Sequence, residues 1–190
     1  MDLWMQHFGL ADDCLRACVY ADFIQRQNPY PDSAWWAMRD LCYSDAVITW
    51  NQLIGQKSQE THWSKLTSQI QIPAGDKLKP FNKQMITDFL EISEQEWIDY
   101  HDLMVNMRNK RVVHLVAEFP LEIIPNITKA MHCCYLYRDW LTEALHLCNR
   151  LGHQRSISDQ RAQDVVKIFE SQIIHAYKGM SPEANPIHEQ

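Results

Sequence analysis

The run Met107-Arg108-Asn109-Lys110-Arg111-Val112-Val113-His114-Leu115 holds the residues of this chain best suited to chemistry. Between Leu103 and Ala117 there are three fixed positive charges and no acidic residue, in a chain whose formal net charge is −6. Arginine presents a rigid fork of donors matched to phosphate oxygens. Histidine moves a proton near neutral pH. A guanidinium and an imidazole held together meet the needs of metal-independent phosphodiester cleavage in RNA. The imidazole takes the 2′-hydroxyl proton or protonates the leaving oxygen, while the guanidinium offsets charge building on phosphorus.

Geometry sets a condition on that chemistry. In an unbroken α-helix, residues six apart differ by about 240° around the axis and by roughly 9 Å along it. Arg108 and His114 then converge only if the backbone bends between them, or if the second residue comes from another subunit. A structural role for Arg108 stays open beside the catalytic one: at a helix end it would face the last carbonyls and stabilise by about 0.3–1 kcal/mol. Lys110 and Arg111 read as a basic face that helps attract phosphate. Asp45, on an earlier helix, is a supporting candidate that could orient an imidazole or hold the motif arginine; an ordinary ion pair is its plainer reading. His101 and Asp102, about two turns before the motif, read as an exposed polar face.

The elements that must position these residues are helical. Leu15, Cys18, Val19, Phe23 and Ile24 share a stripe on a first helix from about Leu3 to Gln27, closed by Asn28-Pro29-Tyr30-Pro31-Asp32-Ser33. A second helix, roughly Ala34 to Ile54, carries Trp35, Met38, Cys42, Ala46, Thr49 and Leu53, with Gly55 as its stop. Trp35-Trp36 would set one ring inward and one toward solvent or a partner. After a polar interval, with a short helix near residues 61–66 and a loop at Ile72-Pro73-Ala74-Gly75-Asp76, residues 83–91 turn helical again. Ser93 and Glu96 form a capping box that opens a third main helix bearing Trp97, Tyr100, Met104 and Met107. Pro120 and Pro125 bracket a break. A fourth helix runs from about Asn126 to Arg150 and a fifth from Ser158 to Lys178. The expectation is an all-α, up-and-down bundle of four main helices plus a C-terminal helix, one domain over residues 1–178, with a loose tail at 179–190.

Arg-Asn, four residues, then His resembles the signature of the HEPN superfamily, helical bundles that include many RNA-cleaving toxins and phage-defence proteins. Arg108, Asn109 and His114 fill the motif's places, with five residues between Arg108 and His114. The motif falls between two long helices of a helical chain of suitable size. With Tyr43-Ser44-Asp45 on an early helix, the layout is most similar to the AbiU-type abortive-infection branch, over residues 10–150 or so. The resemblance implies a metal-independent endoribonuclease with Arg108 and His114 catalytic, Asn109 supporting, and no cofactor. It also implies a homodimer with a composite site, an RNA substrate, and an antitoxin or other regulator. The rival expectation is a helical module of the same fold that dimerises or binds a partner without turnover.

Bulk properties narrow the field. At 190 residues, 46% apolar and with only five glycines, the chain suits a single domain of long helices. A sequence pI near 5.8 disfavours non-specific DNA coating, though an acidic whole can carry a basic pocket. No segment has the pattern of a secretion signal or of a membrane span. The six cysteines are spaced as buried thiols, not as a disulfide framework. These points give a cytoplasmic expectation, without a membrane. His132-Cys133-Cys134 lacks the paired spacing of structural zinc, so no metal site is expected. No glycine-rich phosphate loop, nucleophile elbow or HExxH sequence is present.

Overall fold

The computed structural model describes residues 3–31, 33–113, 124–152 and 160–180. Among these the chain is helical throughout, with no strand. It forms the all-α bundle that the periodicity calls for.

α1 (Leu3–Arg26) buries Phe8, Ala11, Leu15, Cys18 and Ile24 along the expected stripe. Asn28 leaves it through the left-handed region, at φ 47°. The Ser33 hydroxyl caps α2 (Ala34–Trp50) by accepting from the Trp36 N–H. The helical path expected to reach Ile54 does so in a wider form, because residues Asn51–Gly55 wind as a π turn. Met38, expected on the buried stripe, is 45% exposed, and the register carries Val47 and Trp50 inward instead. Two short helices follow, α3 (Trp63–Thr67) and α4 (Lys83–Leu90). They tie the polar interval down: Leu66 and Phe81 are buried, and the Trp140 indole N–H donates to the Lys79 carbonyl at 2.8 Å.

α5 (Glu94–Met107) opens on the Ser93–Glu96 capping box and buries Trp97, Tyr100, Met104 and Met107. It passes directly into a second π turn, Arg108–Val113. Asn126 caps α6 (Ile127–Arg150), which ends where Gly152 takes a φ of 81°. α7 (Ala162–Met180) extends past the expected end at Lys178. Its expected cap, Ser158, and residues 181–190 of the expected tail lie outside the described residues.

α1 is the axis of the bundle, packed against α2, α6 and α7. Burial of this apolar interior is the main stabilising term. Four of the seven tryptophans, Trp4, Trp50, Trp97 and Trp140, belong to it. The remaining three are half-buried: Trp35 against Tyr177, Trp36 beneath the Arg39 guanidinium at 3.7 Å, and Trp63 against Phe81. All six cysteines are free, and Cys14, Cys18, Cys133, Cys134 and Cys148 are buried. Burial raises the Cys18 thiol well above its ordinary range and lifts Cys133 to about 12, so both stay protonated and act as small apolar packing groups.

Arg138 and His7 are among the polar side chains buried in this core. Arg138, 1% exposed, donates to Asp12 at 2.9 Å, to the Thr142 hydroxyl at 2.7 Å and to the Gln160 carbonyl at 3.0 Å. Its guanidinium also lies over the Phe8 ring. His7 is fully buried, with Nδ1 at 2.5 Å from the Tyr137 hydroxyl. No helix among the described residues is long and apolar enough to cross a membrane.

Candidate functional site

The corner where α2 ends and α5 ends holds the sequence-predicted arginine. Both helices there abandon the α-helical repeat for a π turn. Such turns are rare and concentrate at functional sites, since each widened turn leaves backbone and side chains imperfectly paired. Arg108 opens the second turn. The α-helical repeat assumed for Arg108 and His114 therefore does not hold from Arg108 onward. His114 lies outside the described residues.

Arg108 is half-buried, and its Nη2 donates to the Gln56 side-chain oxygen in a short hydrogen bond. No carboxylate lies within 4.0 Å of it among the described residues. Its Nε is buried without an acceptor. The helix-end role considered for Arg108 does not describe this geometry, because the chain continues into the π turn and the guanidinium faces Gln56. Asn109 is half-buried and Lys110 exposed, both in the same turn, as is the backbone of Arg111.

Asp45 is on the solvent side of α2, and neither a hydrogen bond nor an ion pair joins it to Arg108. The group that holds the motif arginine is Gln56, not Asp45. Partial burial and the nearby Asp13 raise the Asp45 carboxyl above its ordinary range. A carboxyl so placed is disfavoured as an anion, and among the described residues no hydrogen bond or ion pair ties it to this corner.

Three residues brace Gln56, and sequence reasoning assigned none of them. Asn51 donates through Nδ2 to the carbonyls of Val47 at 2.8 Å and Met104 at 3.1 Å, stitching α2 to α5. The Gln56 N–H donates back to the Asn51 carbonyl at 3.2 Å and closes the π turn. His101 is half-buried rather than exposed, with its Nε2 donating to the Gly55 carbonyl at 2.6 Å. Its ring lies against Trp50 and Trp97 at centroid distances of 5.8 and 6.0 Å. Gly55 has no room for a side chain: a Cβ there would lie 2.5 Å from the Asn51 Oδ1. The one usable sequence signal was spacing, since His101 on α5 lies seven residues, about two helical turns, before Arg108 at the end of that helix.

Unsatisfied polar atoms concentrate at this corner. Among the described residues four buried side-chain nitrogens or oxygens lack a hydrogen-bond partner, and three of them are Trp50 Nε1, Asn51 Oδ1 and Arg108 Nε. Most buried polar atoms in folded proteins are paired, so a cluster of exceptions marks strain or a ligand-binding role. His132, the start of the His-Cys-Cys run, is exposed beside Phe89, while Cys133 and Cys134 point into the core.

No family model, curated protein or solved structure matches this chain.

Proposed function

We propose that this protein is a metal-independent endoribonuclease of the HEPN type, acting as a homodimer in a toxin or antiphage-defence role in the cytoplasm under an antitoxin or other regulator. One observation carries the reading: the half-buried Arg108 guanidinium is held by a neutral amide oxygen, with no carboxylate paired to it among the described residues. A cation in such a setting attracts a phosphodiester more strongly than one in open water. In the reaction, His114 takes the proton of the 2′-hydroxyl, whose oxygen attacks phosphorus. The 5′-oxygen leaves with a proton returned by an imidazole, giving a cyclic phosphate and a free hydroxyl. Arg108 offsets the charge on the phosphoryl oxygens, Asn109 fixes the turn, and Lys110 and Arg111 draw the RNA in.

The test compares wild type with Arg108→Ala and His114→Ala on mixed cellular RNA, with EDTA present throughout. The expected result is cleavage by wild type that each substitution lowers by about 10²–10⁴-fold. Absence of cleavage, or cleavage that survives both changes, would overturn the reading.

A second reading rests on a different surface. Ala34, Ala37, Met38 and Leu41 form an exposed apolar stripe on α2, with Leu41 67% exposed. That surface suits a helical module that binds a partner without turnover. Loss of self-association on Leu41→Lys, in a protein without ribonuclease activity, would favour it.

A further inference from the structure

We infer that Gln56 is a positioning residue chosen for its neutrality: it aims the Arg108 guanidinium at a phosphodiester while leaving its charge uncompensated. The inference deepens the ribonuclease reading and rests on it for the identity of the ligand.

The Gln56 side-chain oxygen receives the Arg108 Nη2 hydrogen. Gln56 itself is not on a loose loop. Its N–H closes the π turn on Asn51, Asn51 is fastened to α5 through the Met104 carbonyl, and the preceding Gly55 carbonyl is fastened to α5 through His101. α5 is the helix that delivers Arg108. Both ends of the Arg108–Gln56 contact are thus referred to one rigid frame, which is what keeps a long arginine side chain in a single posture.

The choice of amide over acid is the second step. Glutamate in place of Gln56 would make a stronger, charge-assisted contact with Arg108 and would stabilise the fold at least as well. It would also neutralise the guanidinium and repel a phosphate. Glutamine accepts the same hydrogen bond without either effect. A purely structural arginine elsewhere in this protein, Arg138, does have a carboxylate partner. The amide at position 56 therefore matches an arginine whose charge is needed by something outside the fold.

The experiment uses full-length protein and a fluorescent single-stranded RNA methylated at every 2′-oxygen, which cannot be cleaved by transesterification. Binding is measured at several salt concentrations for wild type, Gln56→Glu, Gln56→Leu and Arg108→Gln, alongside thermal unfolding and cleavage of ordinary RNA. Gln56→Glu is expected to weaken binding about tenfold and to lower the salt slope by about one, as Arg108→Gln does, with a melting temperature equal to or above wild type. Gln56→Leu is expected to bind with nearly the wild-type salt slope and to lose kcat more than KM, since the charge remains but its aim is lost. Wild-type binding and salt slope in Gln56→Glu would overturn the inference even if RNA is cleaved. Failure of wild type to cleave ordinary RNA, with Gln56→Glu still losing binding, would overturn the ribonuclease reading and leave the inference standing. A wild-type protein that neither binds nor cleaves would overturn both.

Discussion

Two arginines of this bundle, Arg138 within the core and Arg108 at a corner, are held in opposite ways. Arg138 is buried in the α1–α6 core with a carboxylate, a hydroxyl, a carbonyl and an aromatic face arranged around it. Arg108, at the α2–α5 corner, has among the described residues one amide oxygen and a buried Nε with no acceptor. A guanidinium taken out of water must have its donors and its charge answered, or it costs several kcal/mol. The core answers both for Arg138. Among the described residues, the corner answers only part of the donors of Arg108 and sets no carboxylate against its charge. The contrast separates an arginine that holds the fold together from one the fold holds in place.

The largest expected effect breaks the compensated side of this contrast. Asp12→Ala leaves Arg138 as an unpaired buried cation, and chemical unfolding should show a loss of about 3–5 kcal/mol. Burial raises the Asp12 carboxyl even against the pull of Arg138, so the pair is not a source of net stability over an apolar one. Replacing both partners, with Asp12→Leu and Arg138→Met, should recover most of the loss. A single mutant that unfolds like wild type would erase the distinction between the two arginines.

The core's buried histidine gives the next effect. Burial first, and the nearby His62 second, push His7 down to about 4. Burial likewise lowers His62 to about 4. Between that value and the ordinary histidine range near 6.5, the unfolded chain takes up a proton that the folded chain refuses. The stabilisation is thus complete above about pH 6.5 and is lost as pH falls toward 4, by about 3 kcal/mol for His7. The drop in melting temperature across this window should flatten in His7→Gln. An unchanged pH slope in that variant would show that the α1–α6 core does not exclude the proton.

A smaller effect sharpens the other side. Gly55→Ala places a methyl 2.5 Å from Asn51 Oδ1, so the Asn51 amide must move and its bonds to Val47 and Met104 weaken. The expected cost is about 1–3 kcal/mol, with an additional fall in any Arg108-dependent activity. A change in stability with activity intact would separate the brace from the site. The smallest effect is on the uncompensated arginine itself. Arg108→Gln should alter stability by less than about 1 kcal/mol, since it removes an unanswered charge with one neutral partner. A loss as large as that of Asp12→Ala would place Arg108 with the structural arginines.

Much of this architecture could be read from local chemistry. Ser33 and Ser93 cap the helices whose starts they mark in the sequence, and Asn126 caps α6, because a short side-chain oxygen and the orphan N–H groups of a first turn need only each other. The Ser93–Glu96 box and the stripe on α1 are likewise contained within a few residues. The candidate site was legible in part. Arg108 stood out as a cation in a run without acids, but its partner did not, for Gln56 lies 52 residues away and belongs to no periodic pattern. His101 read as surface because its neighbours on α5 are polar, and only the packing of α2 against α5 brings Gly55, Trp50 and Trp97 to its ring.

The sequence by itself determined the helices, their caps and the position of an isolated basic motif, since each depends on contacts within one or two turns. Tertiary structure alone decided where those helices give way to π turns, which residue answers which arginine, and which histidine is denied its proton. These depend on what two distant segments do when pressed together. A half-buried arginine facing an amide and a buried arginine facing a carboxylate begin as the same residue type, and only the neighbour supplied by another helix makes them different.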